Sequence, residues 1–280
     1  MPHVRLIASV TLAALVLLLA GCEHDPHTAP TAPPPPTPSL TDTVRIAFVG
    51  NSLTSENDLP GMLAVLSRVA GDEVPIETAA VAYDGYALED HLAQGDAARM
   101  IARGGWYAVA MQQGPSTLPE SRDNLIEYAR QFAVLIRAVG ARPAMYGVWP
   151  ERARLFAFDA GIESYRAAAD SIGGLLFPVA LVWKTAWQSD PALPLYGPDD
   201  FHPSLLGTYA AAVTIYAVVR ERSPLGLPFR FKVGLRTVAL DSLEARAVQI
   251  AAGDVTGAGH AARPISGRGS TAQPPADRSW

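Results

Sequence analysis

The chain has 280 residues, 49% of them hydrophobic and 18% charged, with a formal net charge of -5. That is enough apolar material for one sizeable core. No basic stripe suggests a nucleic-acid partner, and the single cysteine, Cys22, excludes an intrachain disulfide.

Arg5 precedes an apolar run from Leu6 to Ala20, which is short for a bilayer span. It ends in Leu19-Ala20-Gly21-Cys22, which resembles a bacterial lipobox. Residues 1–22 are therefore expected to be a lipoprotein signal peptide, with Cys22 as the lipidated residue. That implies a membrane partner through a lipid anchor, on the exported side of a bacterial envelope. Residues 23–42 are rich in Pro and Thr and read as an extended tether. Glu23, His24, Asp25 and His27 fall there, but a tether holds ligands poorly, so no metal site is expected. The folded domain is expected over 43–254, and the Gly/Ala/Pro-rich residues 255–280 read as a disordered tail.

Within the domain, Val44–Val49 is a short apolar run closed by Gly50 and reads as a buried strand. Asp58–Ala70 has helical spacing, with Gly71 as its stop. A second strand is expected at Pro75–Ala82, a helix at Leu88–Ala102 and a third strand at Tyr107–Met111. Arg122–Val139 reads as a helix, Pro143–Val148 as a fourth strand, Ile162–Ile172 as a helix and Leu175–Val182 as a fifth strand. Pro203–Arg220 and Leu240–Ala252 read as the last helices. Apolar strands alternating with helices imply an α/β domain: a parallel sheet covered on both faces. Sites in such sheets lie beyond the carboxyl ends of the strands.

That rule gives weight to Ser52, which follows the first strand. A serine nucleophile needs a base. Of six histidines, only His91 and His202 belong to the domain. His91 sits on an expected helix among acidic neighbours and reads as a surface or helix-packing residue. His202 follows a Gly197-Pro198 turn, with Asp199 three residues before it. A carboxylate at that spacing can reach the imidazole and hold its tautomer. Alternatively, Asp199 or Asp200 caps the following helix, and Asn51 or Ser52 caps the one after the first strand. A P-loop is excluded, since "GNSLTSEN" has no lysine for a phosphate.

Gly50-Asn51-Ser52-Leu53-Thr54 and Asp199-Asp200-Phe201-His202-Pro203 together resemble the first and last blocks of the SGNH/GDSL hydrolases. The resemblance implies a three-layer α/β/α, flavodoxin-like fold with a five-stranded parallel sheet. It also implies serine esterase chemistry without a cofactor, with Ser52, His202 and Asp199 as the triad. "AYDGYALEDHL" is similar to the second block and makes Gly85 an oxyanion donor beside the Ser52 N–H. Two departures stand out. Asn51 replaces the aspartate of G-D-S, and the third block, normally G-x-N-D, reads Met111-Gln112-Gln113-Gly114-Pro115-Ser116. A branch with glutamine at this place makes Gln112 or Gln113 the third donor, preferably Gln112, nearer the strand. The alternative is that both glutamines only tie loops together.

Trp149, Trp183 and Trp187 are expected at the site edge, where they could stack on a sugar ring or simply pack. The substrate is thus a small-molecule or carbohydrate ester. No large lid insertion favours a long-chain lipase. The competing reading is a non-catalytic, surface-tethered carbohydrate or ligand-binding module on the same scaffold.

Overall fold

The computed structural model describes residues 43–258. The expected signal peptide and tether, and nearly all of the expected tail, lie outside them. Five parallel strands form the sheet: β1 (Val44–Gly50), β2 (Ile76–Ala82), β3 (Ala108–Met111), β4 (Arg142–Tyr146) and β5 (Leu175–Phe177). Their order is β2-β1-β3-β4-β5, the flavodoxin-like arrangement. The chain leaves β1 towards β2 and then returns to β3 on the other side. The carboxyl ends of β1 and β3 therefore flank the crevice where such sheets bind ligands. β1 is an inner strand, paired with β2 on one side and β3 on the other, and carries the continuous apolar run, with Val44, Ile46, Phe48 and Val49 fully buried.

Helices cover both faces. After a short turn of helix, α1 (Ser52–Ser55), α2 (Leu59–Val69) packs with α8 (Leu205–Arg220). Beside them lie α7 (Val179–Ser189) and α9 (Ser242–Thr256). The other face holds α3 (Leu88–Gln94), α4 (Asp96–Ala102), α5 (Pro119–Ala138) and α6 (Phe158–Ser171). α8 is apolar all round because it is enclosed by α2, α7 and α9.

Several boundaries differ from the sequence reading. The expected helix 88–102 is two helices, broken at Gly95, whose φ of +87° stops the first. The fifth strand ends at Phe177, and Val179 begins α7 instead of continuing the strand. A short apolar run buried on all sides has no periodicity to separate strand from helix, and Pro178 breaks it. Pro203 does not open α8. It pairs with Tyr196, and Ser204 caps the helix by accepting from Gly207 N. An antiparallel hairpin was not expected: β6 (Arg230–Val233) and β7 (Arg236–Ala239). Phe231 and Val233 face inward, and Gly234, at φ +58°, opens its two-residue turn.

Candidate active site

The turn after β1 is built around Ser52. Asn51 is extended, and its Oδ1 accepts from Leu53 N at 3.1 Å, so Asn51 rather than Ser52 is the N-cap of α1. Ser52 is left half-buried at the first helical position. Among the described residues, its Oγ has no hydrogen-bond partner and its backbone N–H has no acceptor. Gly50 is required by close approach: a Cβ there would lie 2.3 Å from Thr54 Oγ1 and 2.5 Å from Gln112 Oε1.

His202 and Asp199 meet as the spacing suggests. His202 Nδ1 is 2.5 Å from Asp199 Oδ2. The other carboxylate oxygen accepts from the backbone N–H of Phe201 at 3.1 Å and of His202 at 2.9 Å. The bond to His202, helped by these two N–H groups, lowers the Asp199 carboxyl to about 2 despite some desolvation. The imidazole is thereby fixed through Nδ1, leaving Nε2 as the working nitrogen. Asp200 does not cap the helix. It adopts a left-handed conformation, φ +57°, and its Oδ1 is 2.6 Å from Arg152 Nε. Arg152 N also donates to Asp200 O at 2.8 Å. Neither aspartate serves as the cap, because Ser204 does.

The two halves are joined by a residue that the sequence reading did not single out. Asn57, five residues after Ser52, donates to Pro203 O at 2.9 Å and to Thr208 Oγ1 at 3.1 Å. Arg236 of the hairpin donates to Asn57 Oδ1. Asn57 and Asp58 both have positive φ, +56° and +55°, an uncommon state for non-glycine residues. The turn thus holds the residue next to His202 against the segment that carries Ser52. No hydrogen bond spans Ser52 Oγ and His202 Nε2; such bonds commonly tighten only with substrate.

Gly85 lies in the loop after β2. Tyr86 N donates to Tyr83 O at 3.1 Å, and Gly85 has φ +75°, as the third residue of a type II turn requires. Among the described residues its N–H has no acceptor. The backbone N–H groups of Ser52 and Gly85 are therefore both unengaged.

Gln112 is placed otherwise than expected. It is fully buried, and both its amide hydrogens are used: one on Asn51 Oδ1 at 2.8 Å, one on Gln113 O. Its Oε1 accepts from Asn51 N at 3.0 Å and Thr54 Oγ1 at 2.7 Å. The preference for Gln112 as the oxyanion donor is corrected: it has no N–H to give. Gln113 is also buried. Its Nε2 donates to Ser116 Oγ at 3.1 Å and Asn124 Oδ1 at 3.4 Å, and its Oε1 accepts from Leu88 N at 3.1 Å. Both glutamines tie loops, which was the alternative.

His91 is a helix-packing residue, with a position of interest. It is fully buried, and its Nε2–H donates to Gly50 O at 2.7 Å, directly behind the turn that carries Ser52. Burial holds its pKa below the usual value. Of the two readings of the tryptophans, packing is the one that Trp149 and Trp183 follow. Trp149 and Trp183 are fully buried and stacked, with centroids 3.6 Å apart, so neither offers a face to a sugar. Trp149 Nε1 donates to Phe201 O at 3.1 Å and so braces the peptide before His202. Trp187 is half-buried and packs edge-on to Trp183.

No family model matches the chain, and no curated protein matches it. Solved structures do. A candidate SGNH hydrolase from Slackia heliotrinireducens is similar at 29% identity and TM-score 0.51, over 61% of this chain and 96% of that one. LAE5, an alpha/beta hydrolase enzyme from the metagenome of Lake Arreo, Spain, shares the fold at 18% identity and TM-score 0.51, over 64% and 96%. A catalytic mutant of Axe2, an acetylxylan esterase from Geobacillus stearothermophilus, shares it at 14% identity and TM-score 0.50, over 64% and 94%.

Proposed function

We propose that this chain, which has the fold of the SGNH hydrolases, is a serine esterase acting on small carboxylic esters through Ser52, His202 and Asp199. One observation carries the reading. A serine with a free hydroxyl follows the inner strand β1, and a histidine fixed by a carboxylate sits on a loop that Asn57 ties to the same turn. His202 Nε2 takes the proton as Ser52 Oγ bonds to the ester carbonyl carbon. The carbonyl oxygen becomes an oxyanion, met by the Ser52 and Gly85 N–H groups. Collapse breaks the ester C–O bond, and the departing alkoxide takes the proton from His202. Water, deprotonated by the same nitrogen, then releases the acid and restores Ser52.

Leu155 and Phe156 are 45% and 86% exposed, a few residues after Arg152, which grips Asp200. They offer apolar contact to the acyl or alcohol part of a substrate. With Trp149 and Trp183 buried, stacking on those two rings no longer argues for a sugar. Carbohydrate O-acyl esters belong in the test beside short acyl esters. A non-catalytic binding module would leave the Asp199–His202 pair and the unengaged Ser52 hydroxyl without a use. The test is capture of Ser52 by a fluorophosphonate and hydrolysis of a short chromogenic ester. Ser52→Ala should fold and lose both. Wild-type turnover in that variant, or labelling of another serine, would sink the assignment.

The anchor belongs to the same proposal. Cys22, outside the described residues, carries the lipid that holds the enzyme on the exported side of the membrane. Fatty-acid labelling of wild type and Cys22→Ser decides it: labelling should vanish in the variant. Equal labelling of the two would remove the anchor.

A further inference from the structure

The two departures from the familiar motifs, Asn51 and Gln112, touch each other. Gln112 Nε2 donates to Asn51 Oδ1, and Gln112 Oε1 accepts from Asn51 N and Thr54 Oγ1. One glutamine side chain thus grips the nucleophile turn on both sides of Ser52. Asn51 spends its own amide hydrogens elsewhere: Nδ2 donates to Tyr86 O at 3.0 Å. Tyr86 follows Gly85. On the far side of that loop, Gln113 Oε1 accepts from Leu88 N. The amides therefore join three segments: the turn after β1, the loop after β2 and the end of β3. Asn51, Gln112 and Gln113 are 6%, 0% and 4% exposed; the bonds at Asn51 N, Asn51 Oδ1, Thr54 Oγ1 and Leu88 N are buried and costly to break, and the bond to Tyr86 O is partly buried.

We propose that Asn51, Gln112 and Gln113 are positioning residues whose amide relay fixes the Ser52 N–H relative to the Gly85 N–H. The oxyanion is then met by those two backbone donors, not by a side-chain amide of β3. This rests on the esterase reading for its catalytic meaning, and it explains residue 51. An aspartate there could still accept from Leu53 N and Gln112. It could not donate to Tyr86 O, and it would place a carboxylate oxygen about where an N–H now lies, 3.0 Å from a carbonyl. The carboxylate of the G-D-S form is thus the wrong group for this turn. A thioether or methyl at 112 would likewise leave Asn51 N, buried, without its acceptor.

Asn51→Asp is the decisive variant. Displacing one donor of a preorganised pair by about an ångström is enough to cost about tenfold or more in kcat. KM for a short ester should stay within about twofold, since ground-state contacts with the substrate are untouched. Gln112→Ala should lower kcat similarly. The double variant should be little worse than the weaker single one, because both act through one turn. Multiplied losses would mean that Gln112 meets the substrate directly and would overturn the relay. Should Gln112→Ala fail to fold, Gln113→Met carries the same coupling test with Asn51→Asp. Amide hydrogen exchange reads the relay without any turnover. The bonded N–H groups of Tyr86 and Ala87 should exchange about tenfold faster in Asn51→Asp, with wild-type protection kept in α5. Unchanged exchange there defeats the relay even if the esterase reading stands. Faster exchange in Asn51→Asp, where the wild-type chain itself hydrolyses no ester, keeps the relay and defeats that reading instead.

Discussion

Asp199 and Asp200 are neighbours in the chain, yet they face opposite partners. Asp199 Oδ2 is 2.5 Å from His202 Nδ1, and Asp200 Oδ1 is 2.6 Å from Arg152 Nε. The left-handed backbone at Asp200, φ +57°, produces the divergence. One carboxylate orients the His202 imidazole; the other clamps the loop to the turn after β4.

Asp199→Asn should therefore lower kcat/KM by at least about tenfold, since an amide favours the wrong imidazole tautomer. Asp200→Asn should cost little activity. Asparagine tolerates the left-handed state, and the pair with Arg152 is exposed and weak. Rates on one ester, with thermal melts of both variants, separate them. A crippled Asp200→Asn beside a near-normal Asp199→Asn would reverse the assignment.

Asp199 also predicts an acid-side signature in stability. Its carboxyl is lowered to about 2, mainly by the bond to His202, against 3.8 ordinarily. A lowered carboxyl adds stability above its unfolded value and loses it as pH falls towards the folded one. The gap in melting temperature between wild type and Asp199→Asn should be steady above about pH 4 and should close between about pH 4 and 2. A gap that stays constant down to pH 2 contradicts the pairing.

The pairing of Asp199 with His202 was legible because it is local. Asp199 and His202 are three residues apart, and Ser52 sits where a continuous apolar run stops. The role of Gln112 was not legible, because its partners Asn51 and Thr54 lie 61 and 58 positions away. Only the sheet register, which pairs Val49 with Met111, brings them together. Trp183 was misplaced for a different reason. Residues 175–182 are apolar without a period, and tertiary burial, not pattern, decides between strand and helix there. The hairpin did leave a trace: Phe231 and Val233 alternate with Arg230 and Lys232 before Gly234.

Trp149 and Trp183 form a stacked pair in which only one indole N–H has a partner. Trp149 Nε1 donates to Phe201 O, whereas Trp183 Nε1 is buried without an acceptor. Trp149→Phe leaves that carbonyl unpaired beside His202, at a cost of about 1–3 kcal/mol. It should lower kcat as the loop loosens. Trp183→Phe also loses packing, but it removes an unsatisfied donor, so its stability loss should be the smaller. Urea melts and ester turnover compare them. Greater loss of turnover in Trp183→Phe would contradict the bracing role.

His91 sets a second pH dependence, nearer neutrality. Its ring faces Tyr83 and Tyr86, with Asp90 beside it on α3, and its Nδ1 is buried without a partner. Burial lowers its pKa from 6.5, so below that pH the unfolded chain binds the extra proton first. Stability from keeping His91 neutral is complete above about pH 6.5 and falls as pH drops. Wild type should lose melting temperature between pH 7.5 and 5.5 more than His91→Gln, whose amide can still donate to Gly50 O. Equal slopes would mean that His91 binds its proton in the folded state as readily as in the unfolded one.

Gly85 offers a test in which space and backbone conformation can be told apart. A Cβ there would meet nothing within 4 Å, so no clash opposes a side chain. Its φ of +75° is the obstacle. Alanine in that state costs about 1–2 kcal/mol, and asparagine less, because its short polar side chain bonds locally. If the turn holds the Gly85 N–H on the oxyanion, a variant that relaxes towards negative φ swings that donor away. Losing one such donor costs about 10²–10³ in kcat. Activity should then fall in the order glycine, asparagine, alanine, with alanine down at least about tenfold and both variants folded. The measurement is kcat on a short ester with circular dichroism at the assay temperature. If alanine matches wild type, or exceeds asparagine, the residue 85 N–H is not an oxyanion donor.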